Sequence, residues 1–147
     1  MSEPTPIRPQ PSDADLPALY PLTGVVLATV LGSFIAAVVV VYLNYRSLGS
    51  TALARKAVIG GLVVYAGLLG LTVVLPRETY MSIIFIGVQA GLAYVVANAL
   101  QGDAIAYHVS RGGPIHSLLR AAGVGLLTGL AVLFALLTAT ALILGTS

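Results

Sequence analysis

Four continuous apolar runs, at about residues 22–42, 57–75, 80–100 and 119–144, leave this chain few ways to fold. Each supplies the roughly 20 residues that a helix needs to cross a hydrocarbon core about 30 Å thick. In such a core every backbone N–H and C=O must be paired within the protein, which only helices and closed barrels achieve. Barrel strands are about ten residues long and alternate in polarity, whereas these runs are longer and apolar throughout. The expected fold is therefore all-α, a four-transmembrane-helix bundle. Composition agrees, with 8% charged residues against roughly a quarter in soluble domains.

Ahead of the first run, residues 1–21 hold six of the eight prolines and too few apolar side chains to bury anything. They are expected to form a disordered, extended tail and not a signal peptide. Residues 22–147 then make up the membrane domain. If all four runs cross, the connections at 46–56 and 101–117 share a side. That side holds Arg46, Arg55, Lys56, Arg111 and Arg120, against Arg8 and Arg77 opposite. Basic residues collect on the cytoplasmic side, which puts those two connections inside and both termini outside, in a bacterial inner membrane. The net charge of +2 is too small and dispersed to indicate nucleic acid.

Helices in lipid gain little from the hydrophobic effect when they meet, so they associate through close contact at small residues four apart. Every run has such a seam: Ala28, Gly32 and Ala36 in the first; Ala57 with Gly61, and Ala66 with Gly70, in the second. Gly87 and Gly91 follow in the third, and Ala121, Gly125 and Gly129 in the fourth. A compact bundle is expected, with leftover seams available to an oligomer.

No Asp, Glu, Lys or Arg lies securely inside a run, and intramembrane charges are what proton relays and ion-coupled carriers depend on. Gln89 is the one strongly polar residue near the middle of a run. Facing lipid unpaired it would cost several kcal/mol, so a hydrogen bond to Thr29, Ser33, Thr72, Thr128 or a neighbouring carbonyl is expected, the alternative being a place on a polar pathway. Asn98 and Asn44, near helix ends, are expected to tie connections together. Together with the basic residues and Asn44, the polar residues Gln101, His108 and His116 form the expected surface for a partner or for lipid headgroups.

His108 and His116 are eight apart and separated by Gly112, Gly113 and Pro114, which is not the three-or-four spacing of helical metal ligands. Ser110 and Ser117 each have a histidine nearby, but no acid is placed to orient it, so no enzymatic activity and no cofactor are expected. Arg-Gly-Gly-Pro reads as a turn before the last helix, whose first amides, with Arg111 and Arg120, could hold a lipid phosphate.

The segments Asn44-Tyr45-Arg46 with Leu48-Gly49, and Leu100-Gln101-Gly102 followed by His108, Gly112, Gly113 and Ser117, resemble signatures of a group of small bacterial four-span membrane proteins of uncharacterised function. Ser33, Phe34 and Ile35 stand where that group has Gly-Pro-Leu. The resemblance implies a bacterial inner membrane and supplies no activity. The leading functional expectation is a non-enzymatic structural or accessory subunit, oligomeric or docked on a larger membrane complex through its cytoplasmic connections. A small channel or carrier for a neutral solute or ion is the alternative, and an immunity protein against a membrane-targeting toxin a further one.

Overall fold

A computed structural model describes residues 16–76 and 78–145. It is all-α, with α1 over Leu22–Ser47, α2 over Thr51–Val74, α3 over Thr79–Ser110 and α4 over Leu118–Gly145. All four are long and apolar enough to cross a membrane. Residues 1–15 of the expected tail lie outside the described residues, as does Arg77.

The first helix departs from a straight span. At Gly32 (φ −130°, ψ 16°) and Ser33 (φ 67°, ψ 179°) the backbone leaves helical geometry, so α1 is two arms, 22–31 and 34–47. A continuous helix would hold residues 20 and 44 about 36 Å apart. Instead the Tyr20 amide donates to the Asn44 side chain at 2.7 Å. The arms therefore fold back into a hairpin whose two ends meet.

Neighbouring contacts fix the direction of each arm. Along the first, a Cβ added at Gly24 would lie 3.2 Å from Ala121, and added Cβ atoms at Gly125 and Gly129 would lie 2.8 Å from Ala28 and 3.0 Å from Gly32. Residue numbers rise together on both sides, so this arm runs parallel to α4. In the second arm Phe34 meets Gln89 and Tyr45 meets Leu100, so that arm runs parallel to α3. Each arm rises about 15–20 Å, roughly half a hydrocarbon core.

Two expectations are corrected by this hairpin. The first run does not make a straight crossing over 22–42, because Gly32 and Ser33 turn it back. Nor do the two ends of the described chain share a side. Residues 16–21 lie against the connection that starts α4, whereas Gly145 ends α4 at the other end of the molecule. Helix bounds shift as well: α3 continues past residue 100 to Ser110, so the polar connection begins only at Arg111.

The hairpin is also the core. It packs on α2, α3 and α4, while among the described residues no Cα of any one of those three comes within 8 Å of a Cα of another. The most apolar window of α1 is 61% buried, against 6%, 17% and 0% for α2, α3 and α4. Small residues make this possible. A Cβ at Gly32 would strike the Gly125 carbonyl and one at Gly61 would strike Val38, whereas Gly70, Gly87 and Gly91 have nothing within 4 Å. The seams of α1 and α4, and Gly61 of α2, are thus used inside the chain; those of α3 face outward.

Candidate functional site: the two ends of the hairpin

Polar side chains inside the molecule gather at two places, the open base of the hairpin and its tip. At the base, Asn44 is 1% exposed. Its Oδ1 accepts from the Tyr20 amide, and its Nδ2 donates to the Tyr20 carbonyl at 3.0 Å and to Gln101 Oε1 at 3.2 Å. Gln101, also 1% exposed, donates through Nε2 to the Val41 carbonyl at 2.9 Å. The amide of Asn44 copies the pairing of one peptide unit, which is why it can clamp the backbone ahead of the first arm to the end of the second. Nearby, the Tyr45 hydroxyl donates to the Leu100 carbonyl at 2.9 Å.

A short strap extends this clamp to the α3–α4 connection. The Leu19 amide donates to the Pro114 carbonyl at 3.1 Å, and the His116 amide to the Leu19 carbonyl at 2.8 Å, forming an isolated parallel bridge between Leu19 and Ile115. Leu19 is fully buried. His108 supports the connection from below, its Nε2 donating to the Pro114 carbonyl at 3.1 Å. Its ring leaves no room for a side chain at Gly113.

His116 sits where strap and helix meet. Its ring centroid is 4.4 Å from that of Tyr20, and its Nδ1 accepts from Arg120 Nη1 at 3.1 Å. Because a guanidinium can only donate, Nδ1 is unprotonated and the ring is neutral. Partial burial, and then the charge of Arg120, hold its pKa below the ordinary value of 6.5. The Ser117 hydroxyl accepts from the Arg120 amide at 3.4 Å, a cap on α4.

At the tip, the second arm starts inside the molecule. The first amides of a helix lack intrahelical partners, and the Phe34 N–H is met by Gln89 Oε1 at 3.0 Å. Gln89 is 7% exposed. Its partner is an amide it accepts from, not one of the hydroxyls or carbonyls expected, because the helix break supplies a donor. Ser33 is the sole non-glycine residue with positive φ among the described residues, in a region that is close to glycine-only. Its hydroxyl oxygen is buried and has no hydrogen-bond partner.

Of the residues expected to face a partner, Asn44, Gln101 and His108 are buried and occupied inside the fold. That correction follows from α3 continuing as a helix through Gln101 and His108. Arg46, Arg55, Lys56, Arg111 and Arg120 are exposed at the hairpin's open end. Arg46 donates to the Tyr42 hydroxyl at 3.2 Å, and Arg111 lies over the Tyr107 ring at 5.9 Å. Asn98 is exposed. No group of three His, Cys, Asp or Glu side chains is placed to hold a metal among the described residues.

Leu19 and Tyr20 carry structural weight that residue patterns alone did not assign to them, and Ser33, expected only as a candidate partner of Gln89, is where the helix breaks. The available signals were the three apolar residues Ala18, Leu19 and Tyr20 between Pro17 and Pro21, and the small residues Gly32 and Ser33 at mid-run. No family model, curated protein or solved structure matches the chain.

Proposed function

We propose that the protein is a non-enzymatic subunit of a bacterial inner membrane, in which α2, α3 and α4 are crossing helices held apart by a half-depth hairpin and available for assembly. One observation supports this most: three apolar helices pack on the hairpin, and among the described residues their backbones nowhere approach one another within 8 Å, Cα to Cα. Their outer faces carry large exposed side chains, among them Val63, Val73, Ile83, Leu119 and Phe134, and Gly87 and Gly91 leave room for a close approach. Since Asn44, Gln101 and His108 are internal, docking falls to these intramembrane faces and to the basic edge.

The orientation follows from charge. Arg46, Arg55, Lys56, Arg111 and Arg120 surround the open end of the hairpin, which the positive-inside rule places in the cytoplasm. Residues 16–21 then lie on the cytoplasmic side and Gly145 outside, a departure from the arrangement with both ends outside.

Mass measurement of the protein released from native membranes tests assembly. A particle larger than one 15.0 kDa chain, dissociated by Gly87→Leu with Gly91→Leu, supports the reading; a monomer with no copurifying chain contradicts it. The tip favours a second reading, passage of a small neutral or anionic solute. There an unpaired hydroxyl lies beside a helix N-terminus, whose dipole favours negative charge. Flux in reconstituted vesicles that Gln89→Leu abolishes without unfolding would favour that reading over assembly alone.

A further inference from the structure

Between α2 and α3 lies a cleft of about 370 Å³. Its floor is Val38 and Val41 of the hairpin's second arm, one wall is Gly60 and Val64, and the other is Val96 and Leu100. Lys56 also lines it and is the only charged residue to do so. Such a cavity offers water almost no hydrogen-bonding partners, and water enters only where polar groups hold it. In a bilayer the medium against an apolar wall is hydrocarbon. The two walls stand apart, since among the described residues no Cα of α2 comes within 8 Å of a Cα of α3.

We infer that this cleft is a binding site for one acyl chain of an anionic phospholipid, with Lys56 contacting the headgroup. Lys56 lies in the second turn of α2, at the end of the molecule where Arg46 and Arg55 are also exposed. No acidic side chain forms an ion pair with it among the described residues, and Asp103 is the one exposed carboxylate on the α3 segment at that end. A lysine stem long enough to lie along apolar surface while its ammonium reaches the interface suits this role. Charge chooses the headgroup, and the apolar cleft holds the chain.

Gly60 makes the site testable. A Cβ there meets nothing within 4 Å, so a larger side chain fills the cleft without striking protein. Gly67 is equally open but lies outside the cleft and serves as control. The experiment is native mass spectrometry of the full chain released from nanodiscs of equal parts phosphatidylglycerol and phosphatidylethanolamine.

The wild type is expected to retain one lipid, with phosphatidylglycerol enriched about fivefold, the preference that one basic residue near a membrane surface confers. Gly60→Leu, and Val96→Phe from the opposite wall, reduce retention to background. Lys56→Gln keeps a lipid but loses the headgroup preference, and Gly67→Leu behaves as wild type. Retention unchanged in both cleft-filling variants, or no retained lipid in the wild type, would overturn the inference. So would a Gly60→Leu variant that alters oligomeric mass while leaving bound lipid unchanged, since a second copy would then occupy the cleft.

Discussion

The base and the tip of the hairpin are built from similar residues and treated differently by the fold. At the base, two amide side chains, Asn44 and Gln101, satisfy each other and three backbone groups. At the tip, a single amide, Gln89, meets one N–H, and the neighbouring Ser33 hydroxyl meets nothing. A buried polar group left unpaired costs about 1–3 kcal/mol, and a residue in the near glycine-only region of backbone space costs a similar amount. The base therefore stabilises the hairpin, and the tip is held in place against its own preference. Polar satisfaction at one end allows strain at the other.

Asn44→Leu tests that division with the largest expected effect. It strands the Tyr20 amide and carbonyl and one Gln101 oxygen, so a loss on the order of 3 kcal/mol is expected, read as a fall in thermal unfolding temperature in detergent. A change under about 1 kcal/mol would mean that water replaces the clamp. Gln89→Leu removes one bond to a buried amide and is expected to cost about 2 kcal/mol, less than the base substitution. Were it the more damaging of the two, the ranking of base over tip would be reversed.

Ser33→Gly should move stability the other way. It relieves the positive φ and deletes the unpaired hydroxyl, for an expected gain of about 1 kcal/mol in the same measurement. A loss instead would show that the hydroxyl has a partner in the membrane.

The smallest effect concerns pH at the strap. His116 is neutral in the fold and its pKa is lowered, so the folded state binds fewer protons than the unfolded state. Its contribution is complete above the ordinary pKa of 6.5 and is lost as pH falls below that value. Amide-exchange protection of residues 18–21, corrected for intrinsic rates, should weaken below about pH 6.5, and His116→Gln should remove that dependence.

Much of the membrane class was legible in the runs themselves, since continuous apolarity and scarce charge admit little else. The hairpin was not. Gly32 and Ser33 sit inside an unbroken hydropathic stretch, and Ser-Phe-Ile carries neither the glycine nor the proline that would signal a turn followed by a helix start. Periodicity measures apolar length and is blind to a reversal at mid-run. Gln89 was recognisable as needing a partner, but the partner is a backbone amide that exists only because the helix breaks. Asn44 could be read as tying elements together, while its actual partner, the Tyr20 peptide, came from a proline-bracketed segment with no pattern of its own.

The hairpin requires that α1 enter and leave on one side of the bilayer. Because the chain has no cysteine, single substitutions report cleanly on sidedness: Pro17→Cys in the strap, Ser110→Cys at the end of α3, and Glu78→Cys between α2 and α3, all at exposed positions. With a membrane-impermeant maleimide applied to intact cells and to inverted vesicles, Pro17→Cys and Ser110→Cys should label from the same side and Glu78→Cys from the other. Labelling of Pro17→Cys together with Glu78→Cys, and opposite to Ser110→Cys, would mean that the first helix crosses the bilayer and that the hairpin is not the protein's state in the membrane.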